Sequence, residues 1–299
     1  MTNKTRLTIS DLWTSLNEEK PPKILYHYTS MQGLKGIITD SCIWATDTRY
    51  LNDQTELKHA FNFVKHQIVE RIDRNPAAQK QFEKHWHHAD RRLEKNVFVA
   101  SFSYDGDDLG QWRGYCPGGS GVSLGFDSAE LSAFLLGSRN DDDADTEFDE
   151  ALIPSRGLMK CVYSDEEKLS LTREAIDCYT QSLLQDGADW DRAFSILSST
   201  LAICAPLFKD RAFKAEREWR LVISTDSPGF PARCFRINNS MLIPYIVLNF
   251  AEVKKGYVRK LIVGPTQNPE LSLESAQGLL IAHGHEACVM KSTIPYRHW

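Results

Sequence analysis

Three short segments carry residue types that do chemistry when they meet: His27-Tyr28-Thr29, Ser101-Phe102-Ser103 and Glu216-Arg217-Glu218-Trp219-Arg220. The stretches around them are rich in β-branched and aromatic residues, which predicts strands. Residues two apart on a strand face the same way. His27 therefore shares a face with Thr29, Ser101 with Ser103, and Glu216 with Glu218 and Arg220, leaving Arg217, Trp219 and Leu221 on the opposite face. Two carboxylates that close raise each other's affinity for a proton, so one can accept or donate while the other stays charged. Taken singly, each segment has a plainer reading. His27 is then a half-buried strand histidine, the serines are sheet-edge hydroxyls, and the glutamates among Lys214, Arg217 and Arg220 form a surface ion-pair ladder of little energetic weight.

The elements that must position these segments follow from periodicity. Strands are expected at Ile24–Thr29, Cys42–Ala45, Val97–Ser103, Gly121–Phe126, 158–163, Glu216–Ser224, Ala232–Ile237, Leu242–Val247, Val258–Val263 and Ala287–Ser292. Leu57, Phe61, Val64, Ile68 and Ile72 recur at helical spacing between Gln54 and Arg74, with Asp53 and Glu56 placed as a capping box. A charged, His-rich segment with Phe82, Trp86 and Leu93 continues that helical insertion, and two further helices are expected near 165–186 and 190–208. Residues 104–120, holding Asp105, Asp107, Asp108, Trp112, Tyr115 and the Gly118-Gly119 turn, read as a loop, and the acidic run 141–150 as a solvated one. A helix between Asn268-Pro269 and Gly284 interrupts the last strands. The fold class is α+β: a polar lead-in over 1–22, then one domain over 23–299 with helical insertions near 54–95 and 165–208.

Composition excludes several classes. The 299 residues are 42% hydrophobic and 25% charged, with a net charge of −5, values that rule out collagen, coiled coil and wholesale disorder. That charge also argues against a non-specific polyanion binder, although His85–Arg92 and Lys209–Arg220 hold local basic clusters. The polar N-terminus lacks a signal-peptide core, and no apolar run approaches the roughly 20 residues of a membrane span. Seven scattered cysteines without a C-x-x-C pair fit reduced thiols. The expectation is a cytoplasmic protein without a membrane partner. His85, His87 and His88 sit in a charged insertion without further ligands, so no metal is expected there.

The segments YHYTS, YLNDQTE, SFS followed by QWRGY, GVSLGFD, EREWR, IVGP and STIPYR together resemble a large bacterial family of uncharacterised function, in order, from about residue 24 to the C-terminus. That pattern in turn resembles the ADP-ribosyltransferase superfamily. The resemblance implies a mixed-sheet core in which His27 holds the adenosine-side ribose of NAD, Thr29 supports the strand end, and Ser101 and Ser103 hold the carboxylate or ribose. Glu218 then stabilises the cation formed as nicotinamide leaves, while Glu216 orients or deprotonates the nucleophile. Tyr28, Trp112 or Tyr115 would wall the nicotinamide. Superfamily members with Ser-x-Ser and Glu-x-Glu usually carry Arg where this chain has His27, and the chain has no Gly-rich phosphate loop. NAD would be a substrate and the acceptor a protein or nucleic acid. A bacterial toxin or anti-phage role would add an antitoxin or regulator as partner. Three alternatives stand beside this reading: an NAD glycohydrolase, in which water is the acceptor, a non-catalytic module that senses a nucleotide or a phage component, and a metal-dependent nuclease using Asp105, Asp107 or Asp108.

Overall fold

The computed structural model describes residues 12, 15–16, 19–51, 55–93, 97–116, 120–137, 156–185, 187–224, 233–238, 241–250 and 257–295. The acidic run 141–150, the Gly118-Gly119 pair, the Asp53–Glu56 cap and the side chain of His88 lie outside the described residues. Chain order is β1 (Ile24–Thr29), α1 (Met31–Asp40), β2 (Cys42–Asp47), α2 (Thr55–Ile72), α3 (Pro76–Leu93), β3 (Val97–Ser103), α4 (Leu109–Tyr115), β4 (Val122–Asp127) and α5 (Ser128–Gly137). It continues with β5 (Arg156–Lys160), α6 (Asp165–Leu184), α7 (Trp190–Cys204), β6 (Glu218–Ser224), β7 (Cys234–Asn238), β8 (Met241–Asn249), β9 (Val258–Val263), α8 (Pro269–Ala282) and β10 (Cys288–Lys291). The protein is α+β.

Ten strands form one sheet in the order β10-β9-β4-β1-β3-β2-β8-β7, with β6 and β5 attached through β3. All pairs are antiparallel except β10 with β9. Apolar residues at alternate strand positions feed two cores. On one face Leu25, Phe102, Leu124, Phe126, Trp219 and Leu221 pack with α1 and α8. On the other, Val97, Val99, Met159 and Val222 meet α2, α3, α6 and α7. Phe61, Val64, Ile68 and Ile72 of α2 are all buried there, as their helical spacing requires. The polar lead-in also contributes, since Leu12 and Leu16, four apart, are buried in this core.

β3 is the branch point. Along one edge it pairs with β6 over its whole length, Val97↔Ser224 to Ser103↔Glu218. Its other edge is shared: β2 pairs at Thr46↔Val99 and Asp47↔Phe98, whereas β1 pairs at Tyr26↔Ser103. Between those points the two halves of the sheet part, and among the described residues the edge of β3 at Ala100–Phe102 carries no strand partner.

Two expected features are corrected. The segment after Ser103 is not all loop: Asp108 caps α4 by accepting a hydrogen bond from Gln111 N–H at 2.9 Å. The helix turns Trp112 and Cys116 into a small core with Tyr28 and Ile262. Trp112 is fully buried, edge-on to Tyr28 at 4.7 Å, and its indole N–H donates to Asp107 at 2.8 Å. Asp107 also accepts from Ser292 Oγ at 2.5 Å and from Thr293 N–H at 2.8 Å, which pins the segment after β10. Burial opposes ionisation of Asp107, but these hydrogen bonds outweigh it and hold its pKa below the usual carboxylate value.

The second correction concerns the strand expected from Glu216. It begins at Glu218, because Arg211–Glu216 forms a 3-10 turn and Arg217 takes a left-handed conformation at φ 45°. Trp112→Ala removes the keystone of the small core and the Asp107 bond together. Urea denaturation is expected to show a loss of about 3–5 kcal/mol; a loss below about 1 kcal/mol would mean that α4 is not anchored through this indole.

Candidate functional site

A cleft of about 1520 Å³ opens where the sheet forks. It is lined by Tyr26–Ser30 of β1 and the residue after it, by Val99–Ser103 of β3, and by Glu218 and Arg220 of β6. The cross-strand pairs Ser103↔Glu218 and Ser101↔Arg220 put these four side chains on one face. Tyr26, opposite Ser103, belongs to the same face. His27 is one residue out of step with it. Its ring turns into the fork instead, where Nδ1 lies 2.9 Å from the Ser101 carbonyl, a group that only accepts. The imidazole thus takes the place of a strand partner for Ser101, and Nδ1 must carry the proton, leaving Nε2 as an acceptor. Burial is the main cause of a lowered His27 pKa, partly offset by the Ser101 bond and reinforced by Arg236, so the ring is neutral at neutral pH.

Glu218 is the charged centre of the site, with 4% of its surface exposed. Arg220 Nε donates to Glu218 Oε1 at 2.7 Å and Nη2 to Oε2 at 3.2 Å, while Lys209 Nζ donates to Oε2 at 2.6 Å. Lys209 also donates to Glu216 Oε2 at 2.5 Å, so one ammonium bridges both carboxylates. Arg220 is fixed in turn by the Pro206 carbonyl at 2.6 Å. Burial alone would raise the Glu218 pKa, but Arg220 and Lys209 overcome it and hold the value down at about 2. Two acids and two bases make a compensated set, as a buried charge requires.

Local backbone pairing explains how Lys209 arrives there. Val162 bridges Phe208 in parallel, with Val162 N–H donating to Leu207 and Lys209 N–H to Val162. The Glu218 N–H donates to Tyr163 Oη at 2.9 Å, and Cys161 N–H to the Glu218 carbonyl at 2.9 Å. The left-handed Arg217 is held from outside by Asp105 at 2.9 Å and by stacking 3.5 Å over Tyr104. Ser103 Oγ donates to the Glu216 carbonyl at 3.1 Å and accepts from Asp105 N–H at 3.2 Å. Ser103 therefore positions the turn that carries Glu216 toward Lys209.

The residues singled out in the sequence divide cleanly. His27, Tyr28, Thr29, Ser101, Ser103, Tyr115, Glu216 and Glu218 all line the cleft, whereas the fully buried Trp112 does not. In α4 the spacing of Gly110, Gln111, Gly114 and Tyr115 turns one face to the cleft while Trp112 and Cys116 pack inward. Tyr28 is mostly buried, and its hydroxyl donates to the Asp105 carbonyl at 2.8 Å and accepts from Asp108 N–H at 3.0 Å, so it fastens the 104–108 segment. Burial, then the charges of Glu218 and Glu216, push the Tyr115 phenol pKa up. Glu216 does not share a strand face with Glu218; the 3-10 turn brings it in from the side. The surface-ladder reading is also corrected, because Glu218 and its partners Lys209 and Arg220 are buried. Lys209 and Tyr163 were not legible as site residues; the only signal for Lys209 is its place in a basic cluster beside an apolar helix end.

The other histidines do different work. His85 lies between helices, with Nδ1 3.0 Å from Tyr179 Oη and Nε2 2.9 Å from Gln81. No group of three or more His, Cys, Asp or Glu side chains with metal-holding geometry occurs among the described residues. Among them, too, no helix is long and apolar enough to cross a membrane.

A family model described as a protein of unknown function, DUF2971, matches residues 111–221. This is the likeness that the chain shows. The matched stretch runs from Gln111 through β4, β5 and the Lys209–Arg220 network, and leaves β1 and β3 outside. No curated protein and no solved structure matches the chain.

The low Glu218 pKa fixes a direction for acid stability. The folded value lies below the unfolded one, so the contribution is fully present above about pH 4.5 and is lost as the pH falls toward about 2. Glu218→Gln should remove that part of the pH dependence. By leaving Lys209 and Arg220 with an unpaired buried charge, it should also cost about 3–5 kcal/mol at neutral pH. Urea midpoints from pH 2 to 7 for both proteins test this; parallel curves would contradict it.

Proposed function

We propose that the chain is an NAD-dependent ADP-ribosyltransferase-like enzyme that modifies a macromolecular acceptor, with NAD bound in the forked cleft. One observation carries the reading: His27, Ser101, Ser103, Glu216, Glu218 and Tyr115, drawn from three distant parts of the sequence, line a single cleft. In this reading the neutral His27 accepts a hydrogen bond from a hydroxyl of the adenosine-side ribose through Nε2. Glu218, held ionised, faces the ribose whose bond to nicotinamide breaks. That bond cleaves with its electron pair leaving on nicotinamide, and the ribose carbon becomes oxocarbenium-like, as in glycoside cleavage. A fixed anion beside it stabilises that state more than the ground state. Glu216, with 24% of its side chain exposed, takes the proton of the attacking nucleophile. With water as the nucleophile the same site is an NAD glycohydrolase.

A second reading, a non-catalytic module that senses a nucleotide, is favoured by a specific observation. Lys209 and Arg220 already compensate Glu218, which weakens the field that it can direct at a developing cation. Nicotinamide release from NAD separates the two readings. Transferase or hydrolase activity predicts release by the wild type, lowered about 10²–10³-fold by Glu216→Gln, the carboxylate whose loss leaves the Glu218–Arg220 pair intact. His27→Ala should weaken NAD binding by about tenfold. NAD binding by calorimetry without release, unaltered in Glu216→Gln, would leave the sensing module; neither binding nor release would end the NAD reading.

A further inference from the structure

The half of the fork opposite His27 is built from β2, β8 and β7, and its cleft face carries residues with no part in the chemistry above. Trp44 and Thr46 alternate along β2, and Tyr245 is the register partner of Thr46 and of Cys234. Trp44 and Tyr245 stack with ring centroids 4.4 Å apart and planes 28° from parallel. Cross-strand packing accounts for that pair, but not for the indole's remaining surface: Trp44 lines the cleft and is 41% exposed. On the same wall Arg236 of β7 donates from Nη2 to Thr46 Oγ1 at 3.0 Å and also lines the cleft.

Arg236 differs from the other arginine of the cleft. Arg220 is paired with Glu218, whereas no carboxylate pairs with Arg236 among the described residues. Burial lowers its pKa, with Tyr245 opposing, so this guanidinium is partly desolvated and uncompensated. A buried charge normally has an opposite partner. On β8 the register partner of Arg236, Ile243, lies four residues from Val247, the partner of Trp44, with Thr46 and Tyr245 between, so a planar multi-donor cation and an exposed indole stand at the two ends of one wall. Guanidinium groups bind phosphate oxygens through paired N–H donors, and aromatic faces stack nucleobases.

We propose that the β2–β8–β7 wall is a nucleotide subsite, with a base stacked on Trp44 and its phosphate held by Arg236 and Thr46. The subsite shares the cleft with the NAD reading and rests on it only for which nucleotide is bound. The same chemistry has two sources, the ADP half of a dinucleotide or one unit of a single-stranded nucleic acid acceptor.

The test uses the full chain, with ADP and a short single-stranded oligonucleotide as separate probes in calorimetry. ADP binding that Trp44→Ala and Arg236→Gln each weaken about tenfold assigns the dinucleotide source. Oligonucleotide binding tighter than ADP binding, weakened by the same two variants, assigns the nucleic acid. For Arg236→Gln the slope of log affinity against log salt should also fall by about one, which a merely structural residue would not change. Thermal melting checks the fold, and Trp44→Leu and Thr46→Val replace any variant that melts early. The proposal is overturned if wild type binds neither probe, or if both variants bind as wild type does. Nicotinamide release with unaltered ADP affinity in both variants sinks the subsite alone. Variant-sensitive ADP binding without any release sinks NAD cleavage alone.

Discussion

A carboxylate with almost no access to water needs opposite charge, and Glu218 has it from two directions. Much of the surrounding architecture exists to satisfy that need. β6 supplies Arg220 two residues along the same face. The return from α7, through the Val162–Phe208 bridge, supplies Lys209. The turn at Arg217 then brings a second acid, Glu216, to the same ammonium. Removing Glu218 strands both Lys209 and Arg220, so the network ties β6 and the 205–217 segment into one unit around that carboxylate. That interdependence is the cost of placing fixed charge in a cleft, and it holds the Glu218 carboxyl well below the usual carboxylate range.

The fork in the sheet is the second constraint. A continuous edge on β3 would close the cleft with backbone pairs. β1 and β2 instead each take only one end of that edge, and the vacated carbonyl of Ser101 is satisfied by the His27 imidazole. The opening is therefore paid for by a side chain that also faces the cleft. A histidine suits this double duty, since a neutral ring donates from one nitrogen to the backbone and keeps the other as an acceptor. An arginine at this position would bring charge and several donors but no acceptor.

How much of this could be read from residues alone depended on the range of the contact. The α2 face was legible because four apolar residues at helical spacing need only their own helix to make sense, and the β-branched and aromatic run of β3 is an equally local signal. The start of β6 was not. Glu216 alternates with Glu218 and Arg220 as a strand would, but Ser103 and Asp105, distant in sequence, turn the chain at Arg217, and Lys209, seven residues before Glu216, holds its carboxylate. α4 was missed for a different reason, because its glycines, Gly110 and Gly114, argue against a helix locally. Burial of Trp112 and the Asp108 cap override that propensity. Trp112 and Tyr115 are alike in composition, and only the face of α4 on which each falls separates a core residue from one lining the cleft.

The two walls of the cleft differ in charge because they differ in what they already hold. The β3–β6 wall brings two acids and two bases that largely cancel, so a ligand there meets dipoles and fixed but balanced charges. On the β2–β8–β7 wall, Arg236 has no acid partner among the described residues, and Lys58 of α2 lines the same cleft. The charged side chains lining the cleft are therefore unevenly placed across the fork, with Lys209, Asp210, Glu216, Glu218 and Arg220 gathered on one side and Arg236 on the other, in a chain whose net charge is −5. A low-dielectric cleft concentrates such a difference. A ligand with an anionic group at one end and a neutral, hydroxyl-bearing group at the other would be drawn in with a defined orientation, its anion toward Arg236 and its hydroxyls toward His27 and the serines.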